Sequence, residues 1–425
     1  LKAAGANIVE FDEKADIYIV NTCSVTNIAD KKSRQMLHRA RKMNPDGIVI
    51  AAGCYVQSAR EILEQDEAID IVISNNKKKS ITEIVNDYIN VRNNGKNAPG
   101  KDHEAMEYFV DISRETEYEE MGGHVPVGHT RAYVKIQDGC NQFCSYCIIP
   151  YVRGRIRSRS QEAILAEVSE LAEAGIKEVV LTGIHISSYG KDKNNEGALI
   201  ELIEAISKIK GIKRIRLGSL EPGIITEEFV ERISSNSKVC PHFHLSLQSG
   251  CDSVLKRMNR KYTCKQYFEK CDMLRKAYKS PALTTDVIVG FPGETEEEFA
   301  ETVRYLTELN LYEMHIFKYS PRKGTVAAAM KEQVAPEIKN ERSDVLLKLA
   351  HDNKTAYEAQ FEGCELEVLV EEVVKKDNKT YLRGHTERYM DILIDVGDIS
   401  MPESFVNSFV YVTYTQNGGN LPLLL

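Results

Sequence analysis

Three cysteines, Cys140, Cys144 and Cys147, stand in a CxxxCxxC spacing. Thiolates are soft ligands suited to iron–sulfur clusters, and a four-iron cube needs four ligands. Three neighbouring cysteines leave one iron open. An open iron can take the amino and carboxylate groups of S-adenosylmethionine. Electron transfer through that contact can break a carbon–sulfur bond and release a radical, which is chemistry side chains cannot perform. Zinc is the rival metal. Zinc knuckles favour two paired CxxC units or added histidines, and no fourth ligand lies nearby in the sequence.

The surrounding sequence must position that triplet, and its patterning predicts an α/β chain in three parts. Residues 1–92 alternate strand patterns (17–20, 47–50, 69–73) with helical ones (30–41, 59–65, 81–89). Continuous apolar strands between helices predict a parallel sheet covered on both faces. Cys23 and Cys54 then fall at carboxyl ends of strands, where open α/β sheets place their ligands. Residues 93–128 are polar and turn-rich and read as a linker. Residues 129–360 repeat a strand–helix unit. Strands are expected at 132–136, 178–182, 214–217, 242–247, 285–289 and 315–319, with helices at 161–174, 198–209, 227–233, 267–277 and 296–309. Six such strands predict a partial (β/α)6 barrel whose functional face is the carboxyl ends of the strands, and the triplet lies just beyond the first of them. After a bridging helix near 336–361, residues 361–425 lose helical periodicity and read as a small β-barrel, with strands at 365–372, 381–384, 390–396 and 409–414.

The 425 residues are 42% hydrophobic and 28% charged, as in ordinary globular protein, and the length suits about three domains. No apolar run reaches the roughly 18 residues of a spanning helix, and no secretory leader opens the chain, so a cytoplasmic protein without a membrane partner is expected. The ten cysteines then read as thiols or metal ligands. Those at 240, 251, 264, 271 and 364 lack tight spacing and read as core or surface thiols. Residue 1 is Leu, and the opening stretch reads as the end of a helix begun earlier. The net charge of −8 does not suit a general nucleic-acid binder, so such a partner would need a local basic patch. Segment 131–160 offers one, with six basic residues against one acidic. Segment 361–425, by contrast, has five basic and eleven acidic residues.

The stretch from Gln137-Asp-Gly-Cys140 through Cys144-Ser-Tyr-Cys147 to Arg159 resembles the radical S-adenosylmethionine methylthiotransferases. Asn21-Thr-Cys23-Ser-Val25, Gly53-Cys54, Leu181-Thr-Gly183, Ser246-Leu-Gln-Ser249 and Asp286-Val-Ile-Val-Gly-Phe-Pro-Gly-Glu294 are similar too. The resemblance covers almost the whole chain. It implies an N-terminal domain with an auxiliary 4Fe–4S cluster, a central radical domain and a C-terminal TRAM domain that grips RNA. It makes Cys140, Cys144 and Cys147 the ligands of the radical cluster, and Cys23 and Cys54 two of the three auxiliary ligands. The third would precede residue 1, so an incomplete auxiliary cluster is expected. It places Tyr146 near the adenine and Thr182 and Gly183 at the methionine amino group of S-adenosylmethionine; Ser219, Glu221, Ser246, Gln248 and Asp286 stand in or beyond the next strands, and such a ring of polar groups is what a polar cofactor needs. Arg153, Arg155, Arg157 and Arg159 follow the triplet, and arginine suits phosphate and carboxylate groups. They are candidates for tRNA phosphate or a substrate carboxylate. No side-chain acid or base is assigned.

Within that family, Cys144-Ser-Tyr-Cys-Ile-Ile-Pro150 and Leu181-Thr-Gly-Ile-His-Ile-Ser-Ser-Tyr-Gly190 look like the branch that methylthiolates N6-threonylcarbamoyladenosine beside the tRNA anticodon. The branches acting on isopentenyladenosine or on an aspartate of a ribosomal protein are the alternatives. A reducing electron donor protein is an implied partner. Readings from other classes are an iron–sulfur electron carrier and an RNA-binding protein with a structural cluster.

Overall fold

Short runs of Ile, Val and Ala set the first sheet. The structure, a computed structural model, describes residues 1–93, 108–122, 128–377, 379–397, 401–416 and 418–420. Two compact units emerge, and neither is a single stretch of chain.

The first unit combines residues 1–122, 138–157 and 320–329. Its elements are β1 (Ile17–Thr22), α1 (Asn27–Met43), β2 (Ile48–Gly53), α2 (Cys54–Ser58), α3 (Arg60–Glu64), β3 (Ile71–Ile73) and α4 (Ile81–Asn93), joined by α5 (Ile149–Arg153). The three strands are parallel in the order β1–β2–β3, and β2 is buried throughout, as a doubly covered strand must be. Thr26 caps α1 by accepting from the Ala29 N–H at 3.1 Å. The helix expected at 59–65 is α3, and a further short helix, α2, precedes it across a break at Ala59, φ −138°. The expected linker is also corrected in part. Residues 108–122 pack into this unit with Ile112 buried, and Val110 N–H donates to Ser74 Oγ at 3.2 Å. A stretch too polar to show periodicity still supplies one apolar anchor. The rest of the expected linker at 94–107 and 123–127 lies outside the described residues.

The second unit holds the partial barrel and the C-terminal barrel. Strands β4 (Arg131–Asp138), β6 (Glu178–Gly183) and β7 (Arg214–Leu217) pair in parallel, with a two-residue β5 (Arg157–Ser158) at the edge. Strands β8 (His242–His244), β9 (Ala282–Val289) and β10 (Glu313–Lys318) form the second parallel group, and single bridges such as Ile215 to Val239 join the two. Helices α6 (Gln161–Glu173), α7 (Ala198–Ser207), α8 (Glu227–Ser234), α9 (Asp252–Arg257), α10 (Cys264–Ala277), α11 (Glu296–Leu309) and α12 (Pro336–Ala359) complete it. Thr263 and Thr295 close reciprocal capping boxes with Gln266 and Glu298, which fixes the starts of α10 and α11.

Side chains alternate across a strand, and here the alternation sorts by polarity. Val179, Leu181, Ile215, Leu217, Phe243, Leu245, Leu283, Val287 and Met314 join the helices in one apolar core. The opposite, inward positions hold Gln137, Thr182, Arg214, Arg216, His242, His244, Asp286 and His315. A closed barrel of eight strands fills this space with Val, Ile and Leu. This lumen is polar, as a ligand-holding interior requires.

The C-terminal strands β11 (Glu365–Lys376), β12 (Lys379–Thr386), β13 (Asp391–Asp395), β14 (Phe409–Thr415) and β15 (Gly418–Asn420) close into a barrel in the order β11–β12–β13–β15–β14. It seats on the amino ends of the parallel strands through two arginines. Arg214 donates to the carbonyls of His385 and Glu367 at 3.0 and 2.9 Å, and Arg216 donates to that of Glu387 at 2.9 Å. The Tyr389 ring stacks on His385 at 4.5 Å and lies beneath Arg216 at 4.8 Å. The basic residues of this barrel are largely paired: Arg383 with Asp391 and Glu372, and His385 with Glu371.

Candidate iron–sulfur and cofactor site

The cysteine triplet sits in a loop pinned by two glycines in the first unit. Gly139 has φ +74°, and a Cβ there would lie 1.8 Å from the Arg155 carbonyl oxygen. Gly154 has φ +73°, and a Cβ there would lie 2.2 Å from the Ile112 oxygen. Only glycine fits such positions without displacing backbone. Between them the Cys140 N–H donates to the Gly154 carbonyl at 3.0 Å, and the Cys147 N–H donates to the Cys144 carbonyl at 3.0 Å. These bonds fold the three cysteines into one turn. The Gln142 N–H donates to Cys140 Sγ at 3.4 Å, an interaction that favours the thiolate form. None of the three is in a disulfide, and all are partly exposed, so a cluster could reach them. A set of three soft thiol donors on one loop fits the ligand chemistry of an iron–sulfur cube. Gly139→Ala should cost roughly 1–3 kcal/mol of local strain and lower the iron retained after anaerobic reconstitution, even with every cysteine intact; full iron content in this variant would refute the loop's role.

Cys23, exposed, and Cys54, buried, follow the ends of neighbouring strands. Thr22 of β1 pairs with Gly53 of β2, so the two cysteines follow side by side at the carboxyl ends. Gly53 has φ +105°, and a Cβ there would lie 2.4 Å from the Thr22 oxygen, so the approach depends on glycine. Cys54 is buried against Ile148 and Val152 of the triplet segment. Arg153 links the two cysteine sets. Its Nε donates to Cys54 Sγ at 3.0 Å and its Nη1 to Asp138 Oδ2 at 3.3 Å. Burial opposes the charge on Arg153, but Asp138 and Cys54 outweigh it and hold the guanidinium above its usual range. Asn75 Nδ2 donates to the Val152 carbonyl at 2.7 Å, tying the same segment to the sheet. Arg322 donates to Ser24 at 2.8 Å and pairs with Asp30 at 2.6 Å, bracing the loop that carries Cys23.

The four arginines divide. Arg155 is exposed, with its guanidinium 4.6 Å from the Phe143 ring centre. Arg153 is turned inward as described. Arg157 is only 1% exposed, donates to the Arg155 carbonyl and approaches Asp138, and Arg159 is buried against Glu167. Of the four arginines expected to meet substrate, Arg157 and Arg159 are buried in this structure, Arg159 against Glu167 and Arg157 near Asp138. Tyr146 is half-buried beside the third cysteine.

In the second unit, polar groups gather at the carboxyl ends of the strands. Thr182 and Gly183 end β6, and Thr182 Oγ1 donates to the Val134 carbonyl at 3.3 Å. Ser219 is exposed. Glu221 lies 3.3 Å from His185 Nε2 and 3.1 Å from Arg260 Nη2. Burial works against its charge, yet His185 and Arg260 outweigh it and keep Glu221 below the usual carboxylate range. Arg260 and the Tyr262 hydroxyl both donate to the Ser246 carbonyl, at 3.1 and 2.6 Å. Gln248 has φ +76° and its N–H donates to the Asp286 carbonyl at 2.8 Å. The Asp286 side chain turns to His244 at 3.3 Å. Sequence reasoning missed His185, Arg260 and Asp138. His185 stood in a quoted motif without a role, Arg260 sits in a loop with no motif, and the importance of Asp138 appears only once Arg153 and Arg157 fold onto it. The five remaining cysteines divide between core and surface, and burial pushes Cys240 and Cys271 up to about 12.

Residues 134–306 match the Radical SAM superfamily, and residues 1–74 match uncharacterized protein family UPF0004. The chain is 39% identical over 393 residues to the threonylcarbamoyladenosine tRNA methylthiotransferase MtaB of Bacillus subtilis, covering 92% of this chain and 85% of that protein. It is 37% identical to the MtaB of Aquifex aeolicus, covering 91% and 92%. It is also 36% identical to the tRNA-2-methylthio-N(6)-dimethylallyladenosine synthase of Thermoanaerobacter pseudethanolicus, covering 98% and 86%. Among solved structures, the radical S-adenosylmethionine methyltransferase TsrM of Kitasatospora setae, with cobalamin and a 4Fe–4S cluster bound, superposes with a TM-score of 0.54 at 16% identity, over 73% of this chain and 66% of that one. That last likeness is one of fold.

Proposed function

Because this chain belongs to the radical S-adenosylmethionine methylthiotransferases, we propose that it places a methylthio group on C2 of N6-threonylcarbamoyladenosine in tRNA. The observation behind this reading is the 39% identity across 92% of the chain with a relative named for that substrate. The dimethylallyladenosine enzyme of Thermoanaerobacter pseudethanolicus, at 36%, supports the reaction and makes the choice of adenosine the point to test.

In this reading Cys140, Cys144 and Cys147 hold the radical cluster, and Cys23 and Cys54 contribute to the auxiliary one. Bound there, the clusters supply reductive cleavage of S-adenosylmethionine and a sulfur for transfer. The protein's own residues position and exclude water. Thr182, Gly183, Ser219, Ser246 and Gln248 offer polar groups to the cofactor, and Tyr146 a ring. Glu221, fixed as a carboxylate by His185 and Arg260, presents a negative charge suited to an ammonium or ribose hydroxyl. Arg153 holds the two cysteine sets in register. The enzyme acts in the cytoplasm with a reducing donor protein; among the described residues no helix is long and apolar enough to cross a membrane.

The test supplies the reconstituted chain with S-adenosylmethionine, dithionite and tRNA carrying either modified adenosine, then reads 5′-deoxyadenosine and nucleosides by mass spectrometry. A methylthio product only on the dimethylallyl substrate would overturn the substrate reading. Arg155, the exposed arginine, is the one offered to tRNA phosphate. Arg155→Ala should weaken tRNA binding and reduce the slope of log affinity against log salt by about 1; filter binding across a salt series checks this, and an unchanged slope would exclude the contact.

A further inference from the structure

Beyond the clusters, we propose that His244, Asp286 and His315 form a binding site for one divalent first-row transition metal in the barrel lumen. They come from three adjacent parallel strands. Asp286 pairs in register with His315, and His244 with Thr284. Their neighbours Phe243, Leu283, Val287 and Met314 belong to the outer apolar core, so all three side chains project inward. One donor atom from each can be chosen so that all lie within 4.8 Å of one another.

The chemistry of His244 is the second observation. Its Nδ1 lies 2.9 Å from Thr284 Oγ1, the outer-shell contact that fixes a metal-binding imidazole. With the proton on Nδ1, Nε2 presents a lone pair. That Nε2 is buried and makes no hydrogen bond, although Asp286 Oδ2 is 3.3 Å away. In that tautomer two lone pairs face each other at this distance and repel unless a cation lies between them. A tetrahedral metal with bonds of about 2.0–2.2 Å sets its ligands roughly 3.3–3.6 Å apart, and the His244–Asp286 spacing already fits. The His315 ring stacks on His244 with centres 5.8 Å and planes 24° apart, and as an exposed side chain it can turn a ring nitrogen to the same ion. Two imidazoles and one carboxylate suit zinc or iron(II) and leave a coordination position open, which water or an anionic oxygen would take. The alternative occupant is a proton shared by His244 and Asp286.

The full chain, with its clusters rebuilt anaerobically, is titrated with Zn2+ against a chromophoric chelator. Zinc and iron are counted by plasma mass spectrometry, and the zinc shell is read by X-ray absorption. The wild type should hold one zinc more than His315→Ala or Asp286→Asn, with nitrogen and oxygen neighbours. Thr284→Val should bind that zinc about 10–100-fold more weakly. His315 is exposed, so its removal leaves the fold standing, as circular dichroism would verify. Equal zinc in wild type and both variants, or a shell of sulfur alone, would overturn the site. Protein that forms 5′-deoxyadenosine yet takes no extra zinc would remove this proposal and leave the radical reading intact.

Discussion

Cys144→Ala abolishes 5′-deoxyadenosine formation, whereas Cys54→Ala leaves it and abolishes only the methylthio product. This is the expected result if the two cysteine sets do separate work. Cys144 sits in the turn closed by the bond from Cys147 N–H to its own carbonyl. A methyl side chain keeps that turn but removes one of the three thiolates that this loop offers the radical cluster. Cys54 follows Gly53 at the end of β2, and its sulfur accepts from Arg153. Its loss takes a thiolate from the auxiliary set while leaving all three cysteines of the triplet loop in place. Quantifying both products by mass spectrometry from one reaction separates the cases. Continued cofactor cleavage by Cys144→Ala would end the radical-cluster assignment, and so would a wild-type metal content of zinc without iron.

The second large effect is on stability. Arg216 is 3% exposed and Glu178 is fully buried, and they meet at 2.8 Å. Burial favours neutral Glu178, but Arg216 and Arg214 hold it below the usual carboxylate range. Arg216→Met leaves that carboxylate only the looser approach of Arg214 at 3.8 Å and removes donors to the carbonyls of Thr386 and Glu387. A cost of about 3–5 kcal/mol is expected, because breaking one side of a buried pair leaves an uncompensated charge. In the wild type a depressed pKa means the contribution is present above the ordinary carboxylate value, near 4.3, and lost as pH falls through the folded one. In the variant that carboxylate takes up a proton more readily, so the gap between the two proteins narrows on acidification. Urea unfolding at pH 7 and pH 5 measures this. Arg216→Met combined with Glu178→Leu should recover most of the loss, and no recovery would show that the arginine acts through its carbonyl contacts instead.

Much of this was legible in the sequence because the signals were local. The CxxxCxxC spacing, the alternating strands and helices of residues 129–360, and the loss of helical periodicity after 361 each sit within a short window. What escaped was set by partners far along the chain. Arg157 and Arg159 read as a basic surface run until Asp138 and Glu167 fold onto them. Ile112 looked like part of a linker because one apolar residue has no period. The acidic excess of the C-terminal segment argued against RNA binding, and in the fold two of its carboxylates, Glu367 and Glu371, receive Arg214 and Arg131. The polar lumen was half visible: alternate strand positions were polar, but the residues meeting across it depend on strand register.

The first unit is assembled from three stretches, the last being residues 320–329. About 290 residues separate Asp30 from Arg322, its ion-pair partner. At about 5–20 residues per second, a ribosome takes roughly 15–60 s to make that interval. Until then the nascent N-terminal sheet lacks its closing segment, and the Cys23 loop lacks its brace. The brace on the Cys23 loop can therefore form only once residue 322 has left the ribosome, long after the cysteine it steadies.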